Sequence, residues 1–85
     1  MNDSWYKVTI FKNPFSKDVI FVADSRKIYE ITFKNGKKDL IRILSKDLYI
    51  NVKSMLNNKM YKITYNGFFK IVKENKIKET EYKEE

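Results

Sequence analysis

Between Lys27 and Leu44, apolar and polar residues alternate on both sides of Asn35-Gly36: Lys-Ile-Tyr-Glu-Ile-Thr-Phe-Lys before it and Lys-Lys-Asp-Leu-Ile-Arg-Ile-Leu after it. A period of two broken once by Asn-Gly restricts the fold more than any other stretch, because a tight antiparallel hairpin satisfies both features. The hairpin can close in two registers. A two-residue type I′ turn sets Lys34 against Lys37 and Leu40 opposite Ile31. A type I turn followed by Gly36 in the left-handed region pairs Phe33 with Lys37 and sets Ile41 opposite Tyr29. The second register is preferred. It gathers Tyr29, Ile31, Phe33, Ile41 and Ile43 on one face, sends Lys34, Lys38 and Arg42 to the other, and avoids a Lys–Lys cross-strand pair. A slip of one residue would turn the partner strand's side chains over.

The same dipeptide recurs at Asn66-Gly67, between Met60–Tyr65 and Phe68–Lys73, and is read as a second hairpin with Ile63 opposite Phe69 and Tyr61 opposite Ile71. Upstream, Trp5–Lys12 alternates as a strand whose core face is Tyr6, Val8 and Ile10; Trp5 and Phe11 lie on the other face as a second packed layer or as exposed rings. Asn13-Pro14 ends that strand, since Pro14 offers no ladder N–H and constrains Asn13. Phe15 is expected to tuck under the sheet. Asp18–Ala23 is the next strand, and its apolar run Val19–Val22 suggests burial on both faces or tight curvature. The segment 45–58 reads two ways: as a helix capped by Ser45 with a Leu48, Val52, Met55, Leu56 stripe, or as a strand over 48–52 followed by a turn at 54–58. The strand is preferred. Glu74-Asn75-Lys76 reads as a turn, and Ile77–Tyr82 as a short edge strand guarded by Lys78, Glu79 and Glu81.

These segments predict a mostly β protein, a small antiparallel barrel or curled meander of five to seven strands with at most one short helix, placed within 45–58. With 85 residues the chain reads as one domain over 1–82, with residues 83–85 as a frayed tail. There is no Cys to staple so small a core, so packing or assembly must stabilise it, and a homodimer is expected. No basic start with a long apolar run marks a signal peptide, and no run is long enough to span a membrane. An intracellular, cytoplasmic address is expected, in a host cell if the protein is viral.

The chemistry-bearing residues are few. Without His or Cys there is neither the usual general base near neutral pH nor a soft-metal cluster. The aspartates at 3, 18, 24, 39 and 47 are scattered beside turns without calcium-loop spacing. Both glycines sit in Asn-Gly turns rather than in a phosphate-binding loop. Glu30 and Asp39 offer a carboxylate pair across the first hairpin, read as part of a mixed-charge strand pair rather than as a catalytic dyad. No enzyme, catalytic residue, metal or cofactor is therefore expected, and no motif ties the chain to a known family.

Charge is the remaining signal. Lys+Arg total 18 against Asp+Glu 11, a formal +7, so the chain attracts polyanions. Nearly all the cations are Lys, a point charge suited to phosphates rather than to bidentate base recognition. Lys34, Lys37, Lys38 and Arg42 gather about the first turn, and Lys62, Lys70 and Lys73 about Phe68. Lysines beside an exposed ring suit single-stranded nucleic acid, by phosphate attraction and base stacking. The favoured reading is a non-enzymatic, sequence-nonspecific nucleic-acid-binding module. The alternatives are a small inhibitor or accessory protein of viral or mobile-element origin that docks an acidic protein partner, and a structural or oligomerisation subunit. The competing account of Trp5, Phe11, Phe68 and Tyr82, a second apolar layer or a homodimer contact, is the preferred one for each ring taken singly.

Overall fold

The computed structural model describes residues 7–81, so the readings made for Asp3, Trp5, Tyr6, Tyr82 and the tail 83–85 lie outside the described residues. The elements follow in the order β1 (Val8–Lys12), β2 (Val19–Asp24), β3 (Ile28–Thr32), β4 (Lys38–Lys46), β5 (Ile50–Ser54), β6 (Met60–Ile63), α1 (Tyr65–Lys73) and β7 (Ile77–Thr80). All strand pairs are antiparallel. β1 and β2 form a two-stranded ribbon, and the other strands form a sheet in the order β6-β5-β4-β3-β7. That sheet is an open meander and not a closed barrel, with β6 and β7 as its edges.

The first hairpin closes as its pattern requires. Tyr29 pairs with Ile41, the Phe33 N–H donates to the Lys37 carbonyl at 2.8 Å, and Gly36 takes φ +87°, a conformation that costs glycine nothing. Tyr29, Ile31, Ile41, Ile43, Ile50 and Val52 are all buried and form the inner face. The strand reading of 48–52 holds in substance, as Ile50–Ser54, with a turn after it. β7 lies at the sheet edge beside β3, as its charges suggest.

The second Asn-Gly does not make a hairpin. Residues 65–73 are α1, so the one helix among the described residues lies outside the 45–58 window. Thr64, extended at φ −71° and ψ 154°, is the N-cap, and its hydroxyl accepts from the Gly67 N–H at 3.1 Å. Phe68, Ile71 and Val72 recur at helical spacing and pack on the inner face of the sheet, with Phe68 1% exposed. Lys70 and Lys73 stand in the last turn, where the helix dipole favours cations. Asn75, at φ +58°, closes the end: its N–H bonds the Val72 carbonyl and that of Lys76 bonds Ile71, so these two end carbonyls are satisfied.

The ribbon packs on the same inner side through a ring cluster. Phe11 lies 4.6 Å from Phe68, and Phe21 lies 5.4 Å from Tyr29 and 5.7 Å from Phe68, centroid to centroid. This inverts the expected faces of β1: Thr9 and Phe11 are buried, whereas Val8 and Ile10 are exposed. The register sets Phe11 beside Phe21 and Thr9 beside Ala23, and burying two rings outweighs burying Val8, Ile10 and Val22. Val19 and Val22 are accordingly exposed, so the run Val19–Val22 is not buried on both faces. Phe15 is 91% exposed rather than tucked in. The Asn13 side chain accepts from the N–H groups of Phe15 and Ser16, and Lys17 takes φ +66°, so the loop turns back through Asp18 with Phe15 at its tip.

Candidate functional site

The β3–β4 turn presents Lys34, Lys37 and Lys38 to solvent, and Asn35 fixes it by accepting from the Lys37 N–H at 3.0 Å. Arg42 does not join them as a free cation. It is half-buried on the outer face of the sheet, and Nη1 donates to the carbonyls of Ser25 at 3.3 Å and Arg26 at 2.9 Å, tying the β2–β3 turn to β4. Lys62 is remote from the turn, on edge strand β6, with Nζ 5.6 Å from the Tyr49 ring centroid. Phe68 is buried beneath α1 and offers no face to a base, which removes it from the predicted stacking role. Lys70 and Lys73 are exposed on the helix.

The fold nevertheless joins part of both predicted groups. A groove of about 280 Å³ runs between α1 and the end of the sheet. Phe33, Ile63 and Ile71 supply apolar lining, and Lys34, Lys70 and Lys76 line it beside Glu74. The Thr32 N–H donates to the Lys76 carbonyl at 2.9 Å, which fixes the α1–β7 turn against the end of β3. Phe33 is half-buried with its centroid 6.3 Å from that of Tyr61. Phe33 is thus the ring beside the lysines. No local pattern marked it out from Phe68, since both rings lie near an Asn-Gly and lysines.

Ion pairing is uneven. The pairs Arg26–Asp24, Lys27–Glu79, Lys76–Glu74 and Lys78–Glu30 all lie within segments 24–30 and 74–79. Among the described residues, no carboxylate pairs with Lys34, Lys37, Lys38, Lys62, Lys70 or Lys73. Glu74, the acid in the groove, is held 3.4 Å from the Lys76 ammonium.

Glu30 and Asp39 do not meet. Glu30 pairs with Leu40 and Asp39 with Ile31, so the two carboxylates leave on opposite faces. Asp39 instead accepts from the Ser54 hydroxyl at 2.8 Å and the Tyr61 phenol at 2.9 Å, a network that ties β4 to β5 and β6. Burial, and then this carboxylate, push the Tyr61 phenol pKa above its ordinary range. Among the described residues no cluster of His, Cys, Asp or Glu is placed to hold a metal ion, and no helix is long and apolar enough to cross a membrane. Compared with protein-family models, with curated proteins and with solved structures, the chain has no match.

Proposed function

We propose that the protein is a non-enzymatic module that holds the phosphate backbone of single-stranded nucleic acid with little regard to sequence. The observation that supports this reading is the groove, which Phe33, Lys34 of the β3–β4 turn and Lys70 of α1 line together. Lys37 and Lys38 extend the positive surface from Lys34, and Lys73 extends it along the helix. The ammonium groups neutralise successive phosphates, and the Phe33 face receives one base, an interaction every base can make.

A fluorescence titration of single-stranded and duplex oligonucleotides at about 50 and 200 mM salt tests it. Counterion release makes affinity fall steeply between the two concentrations. Lys34→Glu with Lys70→Glu weakens all sequences about equally, because phosphate contacts carry no base information. Phe33→Ala weakens single strands more than duplex, by on the order of 1–3 kcal/mol. Absence of binding at the lower salt, or binding indifferent to the double reversal, overturns the reading.

A further inference from the structure

β1 leaves one long edge open. The Ser25 N–H donates to the Lys7 carbonyl at 2.9 Å, and the register then pairs Thr9 with Ala23 and Phe11 with Phe21. Hydrogen-bonded pairs alternate along an antiparallel ladder, so Lys7, Thr9 and Phe11 turn their main-chain groups toward β2 and Val8 and Ile10 turn theirs away. Among the described residues the ribbon has no third strand, and no main chain meets that outward edge. A side chain does: Lys46 Nζ donates to the Ile10 carbonyl at 2.9 Å.

A shallow trough of about 640 Å³ follows this edge, walled by Lys7, Lys12, Lys17 and Lys46 with no carboxylate in its lining. Val8 and Ile10 are 48% and 45% exposed, and Val22, opposite Ile10, is 51% exposed. These three apolar side chains share the outer face of the ribbon.

We propose that the open edge of β1 receives an acidic peptide in extended form, added as a third strand. The main-chain groups of Val8 and Ile10 supply the ladder, with Lys46 Nζ turning from the Ile10 carbonyl to a peptide carboxylate, and alternate side chains of the peptide supply the selectivity. Its carboxylates meet the four lysines, and its apolar residues pack beside Val8 and Ile10. The charge decides the partner. Lysine on an open edge repels strands like β1 itself, so a second copy pairing β1 with β1 sets lysine against lysine, whereas an acidic strand gains from each contact. Nucleic acid has no amide ladder to match Val8 and Ile10, and the trough lining holds no ring on which a base could stack.

The test uses the full chain with a labelled peptide of alternating Glu and Val, the same peptide with Lys for Glu, and a single-stranded oligothymidylate. Fluorescence anisotropy reads binding, and amide hydrogen exchange by NMR reads the site while reporting that each variant is folded. The acidic peptide binds, the Lys peptide does not, and the Val8 and Ile10 amides gain protection. Lys12→Glu with Lys17→Glu weakens binding roughly 2- to 30-fold, the span of two exposed ion pairs, while Lys34→Glu with Lys70→Glu leaves it unchanged. The proposal is overturned if the acidic peptide fails to bind, if it binds without protecting Val8 and Ile10 or without regard to the Lys12 and Lys17 reversals, or if the oligothymidylate and not the peptide protects those amides.

Discussion

Ser54 has no exposed surface, and its hydroxyl donates to the Asp39 carboxylate and accepts from the N–H groups of Leu56 and Asn57. Ser54→Ala removes a donor from Asp39 and should destabilise the protein by about 1–3 kcal/mol, read from urea unfolding. Tyr61 donates to the other oxygen of Asp39 and adds a pH dependence. Its folded pKa is raised, first by burial and then by Asp39. The unfolded phenol loses its proton near pH ~10, whereas the folded one holds it to higher pH. The stabilisation is therefore complete below about pH 10 and is lost as the pH rises beyond it. Urea midpoints measured on either side of that pH should show the loss, and Tyr61→Phe should reduce it. It should not abolish it, because burial also raises the Tyr65 phenol, which donates to the Asp47 carbonyl. Phe68→Ala should cost about 3–5 kcal/mol of stability as a core truncation, measured as a lowered urea midpoint. Nothing in the local pattern separates Phe68 from Phe33: both are aromatic, beside lysines and near an Asn-Gly. Only long-range packing puts one under the helix and the other beside the groove.

The two Asn-Gly dipeptides show what a local signal carries. At 35–36 the flanking period of two is unambiguous, and register, turn and inner face were all legible in it. At 66–67 the apolar residues Tyr61, Ile63, Tyr65, Phe68, Phe69, Ile71 and Val72 fit a strand period and a helical one alike. The deciding residues lie outside the dipeptide, in the Thr64 cap and in Asn75 at the helix end. The two glycines should answer substitution differently. Gly36→Ala should cost about 1–2 kcal/mol for its positive φ, although the space around it is open. At Gly67, which does not have a positive φ, an added Cβ would sit 3.0 Å from the Thr64 hydroxyl. Alanine there gains up to about 1 kcal/mol of helix propensity while crowding the cap. A double-mutant cycle of Thr64→Ala and Gly67→Ala should therefore show coupling, with Gly67→Ala more favourable once the hydroxyl is gone.

Among the described residues, the ion pairs collect within segments 24–30 and 74–79, and Lys34, Lys37, Lys38, Lys62, Lys70 and Lys73 have none, in a chain of formal charge +7. Self-repulsion should make the unfolding temperature rise between about 20 and 500 mM NaCl, as screening relieves it; a thermal melt at each concentration checks this. Strand content and brevity were legible along the chain, but strand order was not. That β7 returns beside β3, and that β1–β2 stands apart as a ribbon, depend on contacts between distant segments. The bulge between Ile43 and Ser45 shows how much one residue decides: it puts Lys46 level with the buried Ile50, on the side where it reaches Ile10. The ribbon shares no ladder with the meander and is fastened by rings, by Lys46 and Arg42, and by the Asp24 N–H on the Tyr29 phenol. Under tension the molecule therefore has a weak seam. Pulled by its ends, it should first release the ribbon, paying out roughly 70 Å of chain at about 3.5 Å per residue for some 20 residues, before the meander gives way at a higher force.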